Sequence, residues 1–203
     1  MKKITKNLFL LSFLGISLFA SSEKVDFSVS EKYQDLSSEI FKNISSHHYT
    51  REIDKESFND LYIDALLEEL DGNKNLFLSY EIKSFKRKSS NYKKNRENFD
   101  INLAYEILNT YFNRVIEISE YQIKLAKKDS FDLSIDESID IFYDDNEYAS
   151  TMLELKERWR KTTKNDFIVS VLAKDDEDEI ISNLTNRYGC LLYTSPSPRD
   201  PVS

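Results

Sequence analysis

Ser90 and Lys93 stand three residues apart in Ser90-Asn91-Tyr92-Lys93. This is the S-x-x-K spacing at which a lysine activates a serine hydroxyl for nucleophilic attack. That chemistry also needs donors to hold a developing oxyanion. The stretch around Ser90 is polar, has no companion elements and has no glycine-rich segment nearby, so it reads as a solvated loop. His47-His48 is the only histidine pair. Neighbouring residues on a helix point in different directions, and no cysteine or matched carboxylate stands close enough to complete a metal site. The pair reads as a helix end or surface feature. Asp71-Gly72-Asn73-Lys74-Asn75 carries oxygen ligands at alternate positions, as a calcium loop does. Its sixth position is Leu76 where such a loop needs glycine, and its twelfth is Ile82 where it needs a bidentate glutamate, so it reads as a turn.

Lys83, Lys86, Arg87, Lys88, Lys93, Lys94 and Arg96 form a local basic cluster. On an acidic chain this is first a solvated face balancing its surroundings, and second a docking patch for a partner or an acidic membrane surface. Trp159, the only tryptophan, falls at helical spacing with apolar neighbours and reads as core. No residue of this chain is therefore assigned as catalytic, cofactor-binding or metal-binding.

The elements that carry these residues are helical. Residues 23–189 contain two glycines, Gly72 and Gly189, and no proline. A sandwich or barrel needs many turns, and turns need both residue types. The expected fold is all-α, an irregular array of about five to six helices after a signal peptide. Ser30 is placed to cap a first helix with Tyr33, Leu36, Ile40, Phe41 and Ile44 inward. Asp54 caps a second, whose stripe is Phe58, Leu61, Tyr62, Ala65, Leu66 and Leu70. Gly72 stands where a left-handed residue ends it. Ser79 caps a short third helix with Ile82 and Phe85 inward.

Asp100 opens the longest segment, a helix over 101–128 with Ile101, Ala104, Leu108, Tyr111, Val115, Ile118 and Leu125 in line and Gln122 as the polar break. Ile107, Phe112 and Ile116 widen its apolar surface, which predicts burial by several partners. Residues 129–145 read as an irregular connection with a short extended piece at Phe131, Leu133 and Ile135. Tyr148, Met152, Leu155 and Trp159 mark the next helix, with Glu154–Arg158 and Glu157–Lys161 as pairs one turn apart. Phe167–Leu172 fits a strand or a helix by composition, and is assigned to the continuing helix. A last helix starts in 175–179 and carries Ile180, Ile181, Leu184 and Tyr188.

The ends differ from this body. Lys2, Lys3 and Lys6 precede the apolar run 8–19 and the small residues Ala20, Ser21 and Ser22, the layout of a cleavable signal peptide over 1–22. Without the three leader lysines the net charge moves from −8 to −11, which argues against nucleic-acid binding. All three prolines and the single cysteine lie in 190–203. The string from Cys190 to Asp200 resembles the in-frame translation of a transposon-type sequencing adapter. Residues 190–203 are read as adapter read-through, and 23–189 as one domain that is incomplete at its C-terminus.

Three stretches carry a family resemblance. In 47–85, His48-Tyr49 leads toward a helix, Leu70-Asp71 closes it, and Phe77-Leu78, Glu81 and Phe85 follow a loop. In 154–172 stand Trp159 and Lys164-Asn165-Asp166. In 178–189 a helix carries Arg187-Tyr188. In order and spacing, from about Ser30 to Tyr188, this resembles the start of the bacterial tail-specific proteases, or C-terminal processing peptidases. The departure is in 129–150, where the family often has a proline-containing stretch and this chain has no proline. The resemblance implies the helical N-terminal domain of a periplasmic serine protease, a scaffold that governs substrate access. Family members continue into a PDZ domain and a protease domain with a Ser-Lys dyad, and none of those residues is in this chain. The implied partners are protein substrates with accessible C-termini, reached through those further domains, and a periplasmic adaptor. The rival reading is a free-standing secreted helical adaptor or chaperone-like binding module.

Overall fold

The computed structural model describes residues 24–47, 55–92, 101–127, 131–139, 147–173 and 176–194. The leader at 1–22, His48-Tyr49, the expected caps Asp54 and Asp100, Lys93, Lys94, Arg96 and residues 195–203 lie outside them. Within the described residues the chain forms six helices: α1 (Glu31–His47), α2 (Lys55–Asp71), α3 (Ser79–Tyr92), α4 (Ile101–Ala126), α5 (Met152–Leu172) and α6 (Glu177–Thr194). The only β-type pairing among them is an isolated parallel bridge between Leu78 and Ala149. The fold is all-α, as the shortage of turn residues implies.

α4 is the axis of the array. At the standard rise its 26 residues span about 39 Å, and α2, α3, α5 and α6 all pack on it. Its first half supplies Leu103 and Ile107 to a core with Ile63, Leu67, Phe77, Ile82 and Phe85. Its middle supplies Ile118 and Tyr121 to a second core with Leu78, Ala149, Leu155 and Trp159. Its end places Ala126 and Ile123 with Ile180, Leu184 and Tyr188. Burial by several partners is thus met, but the single predicted stripe is not. Leu108, Tyr111 and Val115 are half-buried, while Gln122, the expected polar break, is buried together with Arg114 and Ser119. A helix with neighbours on several sides buries residues around its circumference, so no one face of its sequence marks the core.

α2 is rotated from its predicted face. Ile63 and Leu67 are buried and Leu61 is 67% exposed, because the stripe is wide enough to place either edge inward and packing against α3 selects one. The side chain of Phe58 lies outside the described residues. α1 departs further: Phe41 is buried, but Leu36, Ile40 and Ile44 are exposed. Ser30 does occupy its N-cap position, its carbonyl accepting from Tyr33 and Gln34 N–H. No extensive packing joins α1 to another described helix.

Phe167–Leu172 continues α5, as expected. Tyr148 precedes that helix instead of joining it, and Thr151 is the N-cap, its Oγ1 accepting from Glu154 N–H at 3.2 Å. Glu154 pairs with Arg158 at 2.8 Å, but Glu157 pairs with Arg160 at 2.7 Å in place of Lys161. The extended piece expected at Phe131–Ile135 is a turn instead. Asp132 Oδ1 accepts from Ser134 N–H at 2.9 Å and from its hydroxyl at 2.6 Å, a local closure that competes with extended backbone.

This connection is fastened to α5 through Glu137, which meets Arg160 and lies 2.7 Å from Lys164. Hydrogen bonds from Arg160 and then Lys164 hold the Glu137 carboxyl at about 2, against an ordinary 4.5. A depressed carboxylate contributes above its unfolded value and loses that contribution as pH falls through its folded value. The connection is therefore expected to detach from α5 as pH falls from about 4.5 toward 2. The contact between Phe131 and Phe167, 5.6 Å between centroids, is the NMR reporter. Glu137→Gln should show weak attachment with no pH step in that window, and an unchanged step would refute the assignment.

α6 runs to Thr194, past Gly189, and so is longer than the three turns its apolar pattern marks. Helix propagation costs little once nucleated, and the first residue that forbids it is Pro196.

Candidate functional site

The loop joining α2 to α3 gathers the signature residues. Asp71, the last residue of α2, is buried and turns its carboxylate onto the following backbone. Oδ1 accepts from Asn75 N–H at 2.7 Å, and Oδ2 from Leu76 and Phe77 N–H at 2.9 and 2.8 Å. Both oxygens thus face N–H donors, the reverse of what a cation requires, and the segment is a turn as its glycine and glutamate mismatches imply. Among the described residues no group of three His, Cys, Asp or Glu side chains is placed to hold a metal. Burial pushes the Asp71 carboxyl up, against the downward pull of these three N–H groups. Tyr148, packed beside it, is pushed up to about 12, by burial first and then by the charge of Asp71.

The left-handed residue of this turn is Lys74, with φ 54°, and not Gly72. Gly72 serves a different need: a Cβ there would sit 3.0 Å from the Glu68 carbonyl oxygen. Across the loop, α5 reads two of its carbonyls. Trp159 Nε1–H donates to Asn75 O at 2.7 Å and Arg158 to Lys74 O at 3.2 Å. Trp159 is fully buried, the core role its spacing implies.

Leu78 then pairs with Ala149, and Ser79 N–H donates to Ala149 O at 2.9 Å. The α3 cap differs from the expected one. Ser79 is the first helical residue, and Glu81 reaches back to accept from Leu78 N–H at 2.7 Å, one half of a capping box. The other Glu81 oxygen accepts from Arg114 Nη2 at 2.7 Å. Arg114 also approaches Glu117, which pairs with Lys156. Asp71, Glu81, Arg114 and Trp159 therefore lock α2, α3, α4 and α5 at one junction.

A second junction joins the other signature residues. Tyr188 Oη–H donates to Asp166 Oδ2 at 2.7 Å, and Arg187 lies 3.5 Å from the same oxygen. Burial, then this hydrogen bond, raises the Tyr188 hydroxyl. Tyr188→Phe is expected to cost about 1–2 kcal/mol, the range for a hydrogen bond to a charged group with a partly exposed second partner. Urea titration followed by circular dichroism measures it, and a loss under half a kcal/mol (roughly the error of such a comparison) would deny the bond a role.

Ser90 lies in helix α3 and not in a loop, exposed, its Oγ–H donating to Lys86 O at 3.0 Å. Its would-be base Lys93 lies outside the described residues. His47 ends α1. In the basic cluster, Lys86 pairs with Asp64 at 2.9 Å and Lys88 with Glu106, so at these two positions the charge is balanced by neighbouring acids.

One arrangement has no counterpart in the sequence reading. Lys24–Ser30 runs extended along α4, antiparallel to it, held by two asparagines. Asn113 Oδ1 accepts from Val25 N–H at 2.9 Å and its Nδ2 donates to Val25 O at 2.7 Å. Asn109 does the same for Phe27, at 2.7 and 2.9 Å. The available signal was two poor helix formers four residues apart in a long helix.

Residues 40–194 match the family described as Tail specific protease N-terminal domain. The chain belongs to this family. A relative within reach of direct comparison is the Tail-specific protease of Haemophilus influenzae (strain ATCC 51907 / DSM 11121 / KW20 / Rd), 25% identical over 162 residues. That alignment covers 79% of this chain and 23% of the relative, so the chain spans less than a quarter of that protein's length. The tail-specific protease N-terminal domain is thus built around two junctions, Asp71–Trp159–Glu81–Arg114 and Asp166–Tyr188. Both are made of residues that carried the resemblance or that contact them. Among the described residues no helix is long and apolar enough to cross a membrane.

Proposed function

We propose that this domain is the scaffold and substrate-access part of an exported, periplasmic serine protease that selects proteins by their C-terminal tails. The leader at 1–22 directs export. Cleavage belongs to PDZ and Ser-Lys domains encoded beyond this chain: a near-neutral lysine takes the serine proton and the serine attacks the peptide carbonyl. A PDZ groove receives a substrate's C-terminus by strand addition and carboxylate capture. The observation that carries this reading is the family match over 40–194. It is supported by the two junctions, in which Asp71, Glu81, Arg114 and Trp159, and then Asp166 and Tyr188, serve to fix helices against one another.

The test compares this chain with the product of the whole gene on one peptide substrate. The whole product is expected to cleave it, to lose at least tenfold in kcat/KM when the substrate's C-terminal carboxylate is amidated, and to be blocked by a serine-directed inhibitor. This chain alone is expected to be inactive. Inhibitor-sensitive hydrolysis by this chain, or a whole product without a PDZ and a Ser-Lys region, would overturn the proposal.

A further inference from the structure

We infer that the face of α4 bearing Asn109 and Asn113 is a docking site for an extended, unfolded polypeptide. The site reads the polypeptide's main chain and is filled here by the chain's own Val25–Phe27. This goes beyond the role proposed above and stands whether or not the domain is joined to a protease. Each asparagine sets its amide oxygen and one N–H of its NH₂ group against the N–H and C=O of a single residue, and Asn113 Nδ2 also donates to Asn109 O at 2.7 Å. Such a pair recognises any residue that has an N–H, and so excludes only proline.

The two periods agree. Four residues of helix rise about 6 Å and two residues of strand advance about 6.8 Å, so rungs on successive turns of α4 meet alternate residues of the strand. Side chains then add a preference. Val25 is buried and Phe27 meets Phe112 edge-on at 5.5 Å between centroids, while Asp26 and Ser28 face solvent. The occupant is therefore an extended stretch with apolar residues at alternate positions, the pattern of a strand taken from an unfolded protein.

The groove is larger than its present occupant. A cavity of about 920 Å³ borders Lys24 and Phe27 and extends along α4 from Asn102 to Glu120. The occupant is also replaceable. Lys24–Ser30 forms no helix or strand, and α1 after it makes no extensive packing with the other described helices. A tethered segment competes at an effective concentration in the mM range. Binding in trans is therefore weak in the intact chain and emerges when the segment is removed.

The probe is a fluorescent heptapeptide of residues 24–30, Lys-Val-Asp-Phe-Ser-Val-Ser. It is expected to bind the chain lacking residues 24–30 at least tenfold more tightly than the intact chain. N-methylation of its Val and Phe amides at the two rungs should weaken binding at least tenfold, as should Asn109→Ala with Asn113→Ala in a protein of unchanged helical circular dichroism. An unrelated peptide with the same apolar alternation should bind within a fewfold. In the intact chain, the unlabelled peptide at millimolar concentration should speed hydrogen exchange at the Val25 and Phe27 amides, a readout that needs no variant to fold. Equal binding of methylated and unmethylated peptide, or no acceleration of exchange, would overturn the inference. So would binding confined to the chain's own sequence with segment-exchanged dimers in solution, which would make a second copy the occupant.

Discussion

Trp159→Ala is expected to lower the free energy of unfolding by about 3–5 kcal/mol, the cost of truncating a fully buried large aromatic. Two losses combine. The indole leaves a cavity among Leu78, Ala149 and Leu155, and the Asn75 carbonyl loses the Nε1–H that reaches it at 2.7 Å. Trp159→Phe separates them: it keeps most of the volume and loses the hydrogen bond, and should cost about 1–2 kcal/mol. Trp159 is the only tryptophan, so unfolding has to be followed by circular dichroism at the helical band. A domain of this size has only about 5–15 kcal/mol in total, so the alanine variant should show a large fall in its urea midpoint. A loss below 1 kcal/mol would mean that α5 is not clamped to the α2–α3 loop through this ring.

Asp71→Ala should cost about 3 kcal/mol, since it strands three backbone N–H groups, of which Phe77's is buried and unable to recruit water. Asp71→Asn should recover little. Its amide presents one acceptor where the carboxylate presents two, and its NH₂ group opposes the N–H donors of the loop. The two sites act on the same loop, Asp71 from its N–H side and Trp159 from a carbonyl, so their effects should not add. A double variant is expected to lose at least about 1 kcal/mol less than the sum of the single losses, the size of coupling seen between residues sharing one network. Strict additivity would show that loop conformation and indole seating are independent. Denaturant titrations of the four proteins close the cycle.

The same junction shows what could be read in advance. The turn at 71–75, the core position of Trp159, the helix through Phe167–Leu172 and the capping position of Ser30 depend on spacing within one or two turns of chain. Local steric and hydrogen-bonding rules act over that range. The misread faces of α1 and α2 involve the same range but a different question. Leu61 and Ile63 are both apolar, and which of them is buried depends on the neighbour that covers the helix. Residue type points to Ser79 as the cap of α3, whereas Glu81 reaches back to the Leu78 N–H and is held by Arg114, a residue 33 positions away.

The amino-acid sequence by itself determined that this protein is helical, because two glycines and no proline across 23–189 leave few places to turn a sheet. It also carried the signature that places the chain in its family. Tertiary structure alone decided what the signature residues do and how α4 is used. Asn109 and Asn113 meet main-chain groups 82 and 88 residues distant, and an amide side chain shows nothing in sequence of the strand it will hold. The physical reason is one of range. Backbone propensity and turn chemistry are summed over neighbours in the chain, whereas burial and hydrogen-bond satisfaction are summed over neighbours in space, which exist only once the helices have come together.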